Sequence, residues 1–199
     1  MKLQAQSTLG APFGVAAAVP GLTSRNAVLR ERADIGCVLL TAAVESAEIA
    51  TSASAAAGVD LSLVPGPIKT GVGRLALWLS PRSWLIQCGL EEEVGLIARL
   101  NAAFPDKRAH ATGFTDYLCW FELSGAASID LLTESSFISL ERGGLPVGHA
   151  KRTLIAQIAA VIVRESENAW MIAVERSRAR YFADWLSDSF NDATVHHRR

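Results

Sequence analysis

The pattern strand, turn, strand, helix occurs twice in this chain, and it restricts the available folds more than any other feature. In the first copy, Leu75–Leu79 and Trp84–Cys88 read as strands joined by a Pro81-Arg82-Ser83 turn. Glu91–Glu93 then open a helix, with acids where the helix dipole favours them. Leu96, Leu100 and Phe104 fall on one helical face with Ile97 alongside, and Pro105 ends the segment. In the second copy, an apolar strand runs from about Arg152 to Val163, Glu165–Asn168 turns, and Trp170–Val174 returns. A helix from about Ser177 to Phe190 follows, with Phe182, Trp185, Leu186 and Phe190 on its inner face. Between the copies, Tyr117–Leu123 reads as an aromatic-rich strand, and Ser124 is placed to cap a helix through Ile129, Leu131 and Leu132. Hairpins interspersed with helices predict an α+β protein, with antiparallel sheets and helices packed on them. The repeated order suggests two related small lobes within residues 71–199, about 71–123 and 124–190.

The N-terminal third carries less pattern. Residues 1–24 are rich in Ala, Gly and Pro without a sustained period and read as an arm. Residues 25–70 are poorly patterned. Asp34–Val44 is an apolar run that suits a buried strand or a helical piece, and Glu45–Gly58 suits a helix or a soft linker. Val64-Pro65-Gly66-Pro67 is a loop, because its prolines and glycine forbid regular pairing.

Charge and cysteine content exclude several function classes. Lys and Arg total 19 against 20 Asp and Glu, so no basic balance exists to displace phosphate counterions, and nucleic acid is not an expected partner. No segment reaches the roughly 20 uninterrupted apolar residues a bilayer requires, and the N-terminal segment lacks the layout of a secretory signal. Neither membrane insertion nor export is therefore expected, and the cytoplasm is the expected location. A mean hydropathy of +0.23 mildly favours a chain that buries surface on partners. Cys37, Cys88 and Cys119 are widely spaced among apolar neighbours and form no C-x-x-C pair, so they read as buried, reduced thiols. The terminal His196-His197-Arg198-Arg199 reads as a polar tail.

The motifs that suggest chemistry do not carry it. Gly71-x-Gly73-x-x-Ala76 matches a dinucleotide fingerprint, with Glu91–Glu93 near the expected ribose-binding acid. That chemistry requires a helix opening directly after the glycines, whereas a strand and Pro81 follow here, so a turn is the better reading. Gly143-Gly144, near Arg142, Lys151 and Arg152, could cradle a phosphate, but no G-K-[ST] follows and Pro146 removes a backbone donor. His110 and His149 stand alone in loop-like text with no metal-ligand spacing. Asp116, Glu122, Asp130 and Glu134 alternate with apolar residues as solvated faces do. No catalytic, cofactor-binding or metal residue is assigned. Arg176, Arg178 and Arg180 are the one basic concentration, with Lys151 and Arg152 upstream. They suit solvent-facing charges around a turn and the first helical turn, or candidate contacts for an acidic partner surface or an anionic ligand.

Several blocks, in their joint order and spacing, resemble the gamma subunit family of heterotetrameric sarcosine oxidase. They are the hairpin Leu77-Trp78-Leu79 to Trp84-Leu85-Ile86, the join Phe121-Glu122-Leu123-Ser124-Gly125-Ala126-Ala127, the block Leu145-Pro146-Val147-Gly148 to Arg152-Thr153-Leu154, and Arg180-Tyr181 to Asp184-Trp185-Leu186. The resemblance covers about residues 72–190 and extends to the folate-binding aminomethyltransferase fold. It departs at Ser136-Phe137-Ile138-Ser139-Leu140, where family members often carry a cysteine. It implies a non-catalytic structural subunit of a complex that oxidatively demethylates sarcosine to glycine, yielding hydrogen peroxide and 5,10-methylenetetrahydrofolate or formaldehyde. Alpha, beta and delta subunits are the implied partners. FAD, FMN and NAD are expected on alpha and beta, tetrahydrofolate on alpha and zinc on delta, with no cofactor in this chain. The alternative is a stand-alone folate-binding or one-carbon transferase-like protein, with Asp116 or Glu122 as the carboxylate facing a pterin.

Overall fold

A computed structural model describes residues 7–10, 16–24, 26–136 and 144–196. In chain order the strands are β1 (Ala16–Ser24), β2 (Ala27–Arg32), β3 (Ile35–Ala42), β4 (Lys69–Gly71), β5 (Arg74–Ser80), β6 (Ser83–Gly89), β7 (Ala109–Gly113), β8 (Leu118–Ser124), β9 (His149–Ile155), β10 (Ile158–Ser166) and β11 (Ala169–Glu175). The helices are α1 (Ala47–Ala57), α2 (Glu93–Ala103), α3 (Ser128–Ser135) and α4 (Ala179–His196). Single 3-10 turns, Leu90–Glu92 and Arg176–Arg178, lead into α2 and α4. The α+β reading with antiparallel sheets and packed helices holds.

The chain divides into two compact units, residues 1–33, 117–148 and 152–199 forming one and residues 34–116 and 149–151 the other. The second unit holds a five-stranded sheet in the order β4-β5-β6-β3-β7. Period-two alternation aims Val38, Leu40 and Ala42 of β3 and Trp84, Ile86 and Cys88 of β6 at the two helices, where they meet Ile49 and Ala53 of α1 and Leu96 and Leu100 of α2. Trp84 is fully buried and its indole N–H donates to the Ser62 carbonyl at 2.7 Å, so the large ring costs no lost hydrogen bond. The Ser46 hydroxyl accepts from the Ile49 N–H at the start of α1, and Gly58 closes that helix at φ 69°. The outer edge of β7 is covered by α2: the Asn101 side chain accepts the Ala111 N–H at 2.8 Å and donates to the Ala111 carbonyl at 3.1 Å.

The first unit holds a six-stranded sheet in the order β1-β2-β8-β11-β10-β9. Leu29, Cys119, Phe121, Leu123, Trp170, Ile172 and Val174 form one buried face with Phe182 and Leu186 of α4. The Phe121 and Phe182 rings lie 5.3 Å apart, and each such fully buried side chain contributes about 1.5–3 kcal/mol. The Trp170 indole donates to the buried Ser128 hydroxyl at 3.1 Å, while the Arg164 guanidinium lies 4.9 Å from the Trp170 ring centroid.

The duplication is longer than the expected strand–strand–helix units. Strand, helix, three strands, helix describes β3–α1–β4–β5–β6–α2 and again β8–α3–β9–β10–β11–α4. In each copy the first strand pairs with the last strand of the following three. The boundary expected at 123/124 is therefore displaced, because β8 opens the second copy and residue 117 returns the chain to the first unit.

Other expectations also change. Residues 16–24 of the expected arm form β1, an antiparallel partner of β2. Residues 25–70 contain β2, β3, α1 and β4, so the poorly patterned segment is mostly regular structure. The apolar run from Arg152 to Val163 is two strands, broken at Ala156 and Gln157 with φ of 50° and 63°. Those residues turn a two-residue hairpin without the Asn or Gly that usually announces it. Ser124 ends β8 instead of capping α3, which starts at Ser128. Gly125 makes the join at φ 117°, where an added Cβ would stand 2.1 Å from the Asn26 carbonyl oxygen. Gly71 and Gly73 flank the β4–β5 turn, as the turn reading requires. His197–Arg199, Gly143 and Phe137–Leu140 lie outside the described residues, as does the Phe190 side chain.

Candidate interaction surface

The three arginines singled out in the sequence lie where β11 gives way to α4. Glu175 ends β11, Arg176–Arg178 make the 3-10 turn, and Arg180 is the second residue of α4. The local sequence fixes this segment from below: Ala179, Phe182, Ala183 and Leu186 are buried and Trp185 packs partly against the same core, so Arg180, Tyr181 and Asp184 are left facing outward. Arg178, Arg180 and Tyr181 are exposed, and Arg176 is half-buried. The Arg176 N–H donates to the Tyr117 carbonyl at 2.9 Å, which joins the turn to the start of β8. The Tyr117 hydroxyl donates to the Glu175 carboxylate, and that hydrogen bond holds the phenol above its ordinary pKa. Tyr117 and Tyr181 remain 49% and 55% exposed. Among the described residues Arg178 and Arg180 make no ion pair.

The other sequence candidates are committed elsewhere. Glu122 accepts from Arg30 at 3.3 Å and Arg32 at 3.2 Å. Both cations therefore address the one carboxylate that could have faced a pterin from this strand. Glu165 is held above its ordinary value, first by desolvation and then by the nearby Glu122 charge, with Arg32 opposing. Asp116 and Asp130 are exposed, and the Glu134 side chain lies outside the described residues. His110 is exposed on β7 and His149 opens β9, so both lie on strands and not in loops. Lys151 and Arg152 are exposed on β9, which the sheet order separates from β11 by β10.

The thiols are buried. Cys119 is pushed up to about 12, first by burial and then by the Glu31 carboxylate; burial and then Glu93 push Cys88 up to about 11. Both stay protonated near neutrality, and thiols are poor nucleophiles and metal ligands.

Glu31 is the buried charge that the sequence reading missed. It is 3% exposed and accepts from the Thr8 N–H at 2.9 Å, the Leu9 N–H at 3.3 Å and the Cys119 thiol at 3.6 Å. The signal was the alternation in Ala27-Val28-Leu29-Arg30-Glu31-Arg32, which sends Glu31 to the same side as Ala27 and Leu29. The first unit thus consumes its own N-terminal segment. Residues 7–10 are tied to Glu31 and residues 16–24 to β2, so the described part of the expected arm is built into this chain.

Comparison with known proteins follows the same lines as the fold. Residues 41–192 match the model of the sarcosine oxidase, gamma subunit family. A sarcosine oxidase subunit gamma from Corynebacterium sp. strain U-96 is 29% identical over 140 residues, covering 70% of this chain and 67% of the relative. A second, from Corynebacterium sp. strain P-1, is 29% identical over 173 residues, covering 86% and 84%. Among solved structures, a chain of the heterotetrameric sarcosine oxidase from Corynebacterium sp. U-96, in complex with pyrrole 2-carboxylate, superposes with a TM-score of 0.78 at 25% identity, covering 85% of this chain and 86% of that one. The glycine cleavage system aminomethyltransferase T from Bartonella henselae shares the fold, with a TM-score of 0.61 at 13% identity, covering 85% of this chain and 50% of that one.

Proposed function

The chain belongs to the sarcosine oxidase gamma subunit family, and from that premise we propose that it is a non-catalytic structural subunit of a heterotetrameric sarcosine oxidase. The observation that carries this reading is the family match across residues 41–192, joined to the superposition on a chain of a heterotetrameric sarcosine oxidase. The complex would oxidise the N-methyl group of sarcosine and release glycine. Flavin on the partner subunits would supply the two-electron oxidation, with oxygen as the acceptor reduced to hydrogen peroxide. The one-carbon unit is captured by tetrahydrofolate as the 5,10-methylene adduct or, after hydrolysis, leaves as formaldehyde. FAD, FMN, NAD, tetrahydrofolate and zinc are proposed for the alpha, beta and delta partners. The cytoplasm is the proposed location, and among the described residues no helix is long and apolar enough to cross a membrane.

The side chains of this subunit support a scaffold role in this reading. Glu122 is held by two arginines, Glu31 holds backbone N–H groups, and the Cys88 and Cys119 thiols are raised in pKa. Each such group stabilises the fold and gives little to a reacting substrate. The shared aminomethyltransferase fold leaves a folate-binding protein as the second reading.

Co-purification separates the two. Affinity capture of this chain from its host recovers three other chains, a flavin absorption spectrum and sarcosine-dependent peroxide formation. A solitary, colourless chain that binds folate at submillimolar concentration would replace this reading with the folate-binding one.

A further inference from the structure

We infer that the surface where β11 passes into α4 docks an acidic, aspartate- or glutamate-bearing segment of a partner subunit. The inference rests on the subunit reading above and adds the place and chemistry of one contact. Four observations carry it.

The first is charge. The stretch from Glu175 to Tyr181 holds three arginines and one carboxylate, in a chain whose net charge is −1. The single carboxylate, Glu175, already accepts the Tyr117 hydroxyl. Asp184 is exposed one helical turn beyond Arg180 and closes no ion pair with it, so the local excess is cationic.

The second is pairing. Four arginines elsewhere are paired with carboxylates, Arg30 and Arg32 with Glu122, Arg74 with Glu92, and Arg108 with Asp106 and Glu48, while Arg82 and Arg164 address backbone carbonyls. Arg178 and Arg180, among the described residues, have no such partner.

The third is aromatic content. The chain has two tyrosines, Tyr117 and Tyr181, and both stand at this surface, each about half exposed. Tyr and Arg are the residues enriched at the energetically dominant centres of interfaces, because each combines a large apolar body with hydrogen-bonding capacity.

The fourth is preorganisation. Buried Ala179, Phe182, Ala183 and Leu186 hold the start of α4, and hydrogen bonds from Arg176 and Tyr117 bind the turn to β8. A fixed backbone lowers the ordering cost that docking would otherwise incur. Arginine forks facing a carboxylate then give direction as well as attraction.

The test is made on the assembled complex. All four chains are co-expressed, the complex is captured through a partner subunit, and retention of this chain is followed while salt is raised. Wild type and R152E, whose exposed arginine lies on β9, are expected to remain bound equally at moderate ionic strength. R178E/R180E is expected to be lost at least about tenfold more readily, because charge complementarity becomes repulsion. Y181A is expected to weaken retention at every salt concentration, since its contribution is not screened. Circular dichroism establishes that the variants fold, and R178Q/R180Q repeats the experiment without reversed charge if the double glutamate variant does not. Retention of the arginine variants equal to wild type at all salt concentrations overturns the docking surface while leaving the subunit reading intact. Absence of the wild-type chain from the complex removes the subunit reading and the surface with it.

Discussion

Replacing Gly125 with alanine tests how the first unit joins β8 to α3, since two independent costs meet at that residue. The backbone stands at φ 117°, and an added Cβ would lie 2.1 Å from the Asn26 carbonyl oxygen and 2.6 Å from the Ala27 Cα. Both obstacles are backbone atoms at the start of β2, and β2 is held to β8 by the pairs Val28 with Ser124 through Glu31 with Phe121. The turn cannot relax without displacing that ladder. An unfavourable positive φ costs about 1–3 kcal/mol and forced overpacking about 1–3 kcal/mol more. A combined loss of about 2–6 kcal/mol lowers Tm by roughly 4–24 °C for a protein of this size. Gly148→Ala is the internal control. Its φ is 75° with nothing within 4 Å of an added Cβ, so only the conformational cost of about 1–2 kcal/mol applies. Scanning calorimetry of the purified variants compares them directly. Equal losses for Gly125→Ala and Gly148→Ala would refute the steric part of the argument.

Asn101→Ala removes both hydrogen bonds that cover the outer edge of β7, leaving the Ala111 N–H and carbonyl to water. A loss of about 1–3 kcal/mol is expected, with faster amide exchange at Ala111 as the specific readout. Arg164→Ala removes guanidinium bonds to the Leu145, Ser166 and Glu167 carbonyls and the contact over Trp170; about 2–4 kcal/mol should be lost by urea denaturation, against under about 1 kcal/mol for the exposed Arg152→Ala. The Cys119 thiol, pushed from 9.0 up to about 12, keeps its proton in the folded state after the unfolded chain has begun to lose it. Its contribution is therefore fully present below pH 9 and declines as pH rises toward 12, by about 1.4 kcal/mol at pH 10. The slope of stability between pH 8.5 and pH 10, measured by chemical denaturation, should be shallower in Cys119→Ala; an unchanged slope would remove Cys119 as its source.

What could be read in advance followed periodicity. The β5–β6 hairpin, α2, β8 and β11 announce themselves because alternating or helical runs of large apolar residues are bounded by turns or charge. α1 was left open between a helix and a linker because its buried face is made of Ala50, Ala53 and Ala57 with a single large residue, Ile49, so small side chains mask the helical period. β2 escaped because its third inward position is Glu31, a charge whose partners come from residues 7–10 and from Cys119 on β8. The Ala156–Gln157 turn carries no Gly or Asn, and the tertiary fold overrides local preference there. At the candidate surface, the arginine cluster was legible as a run of charge. Its pairing with Tyr117 was not, because the two segments meet only through the β8–β11 ladder, where Leu118 stands opposite Glu175.

The proposed role of this chain is assembly and not a chemical step. The direct measurement is rapid-mixing reduction of the flavin by sarcosine, per flavin, in the four-chain complex and in the complex purified without this chain. Omission is expected to lower the yield or lifetime of the complex while the surviving flavin is reduced at an unchanged rate. A stable, flavin-loaded complex that lacks this chain and has lost flavin reduction or one of the products would contradict it.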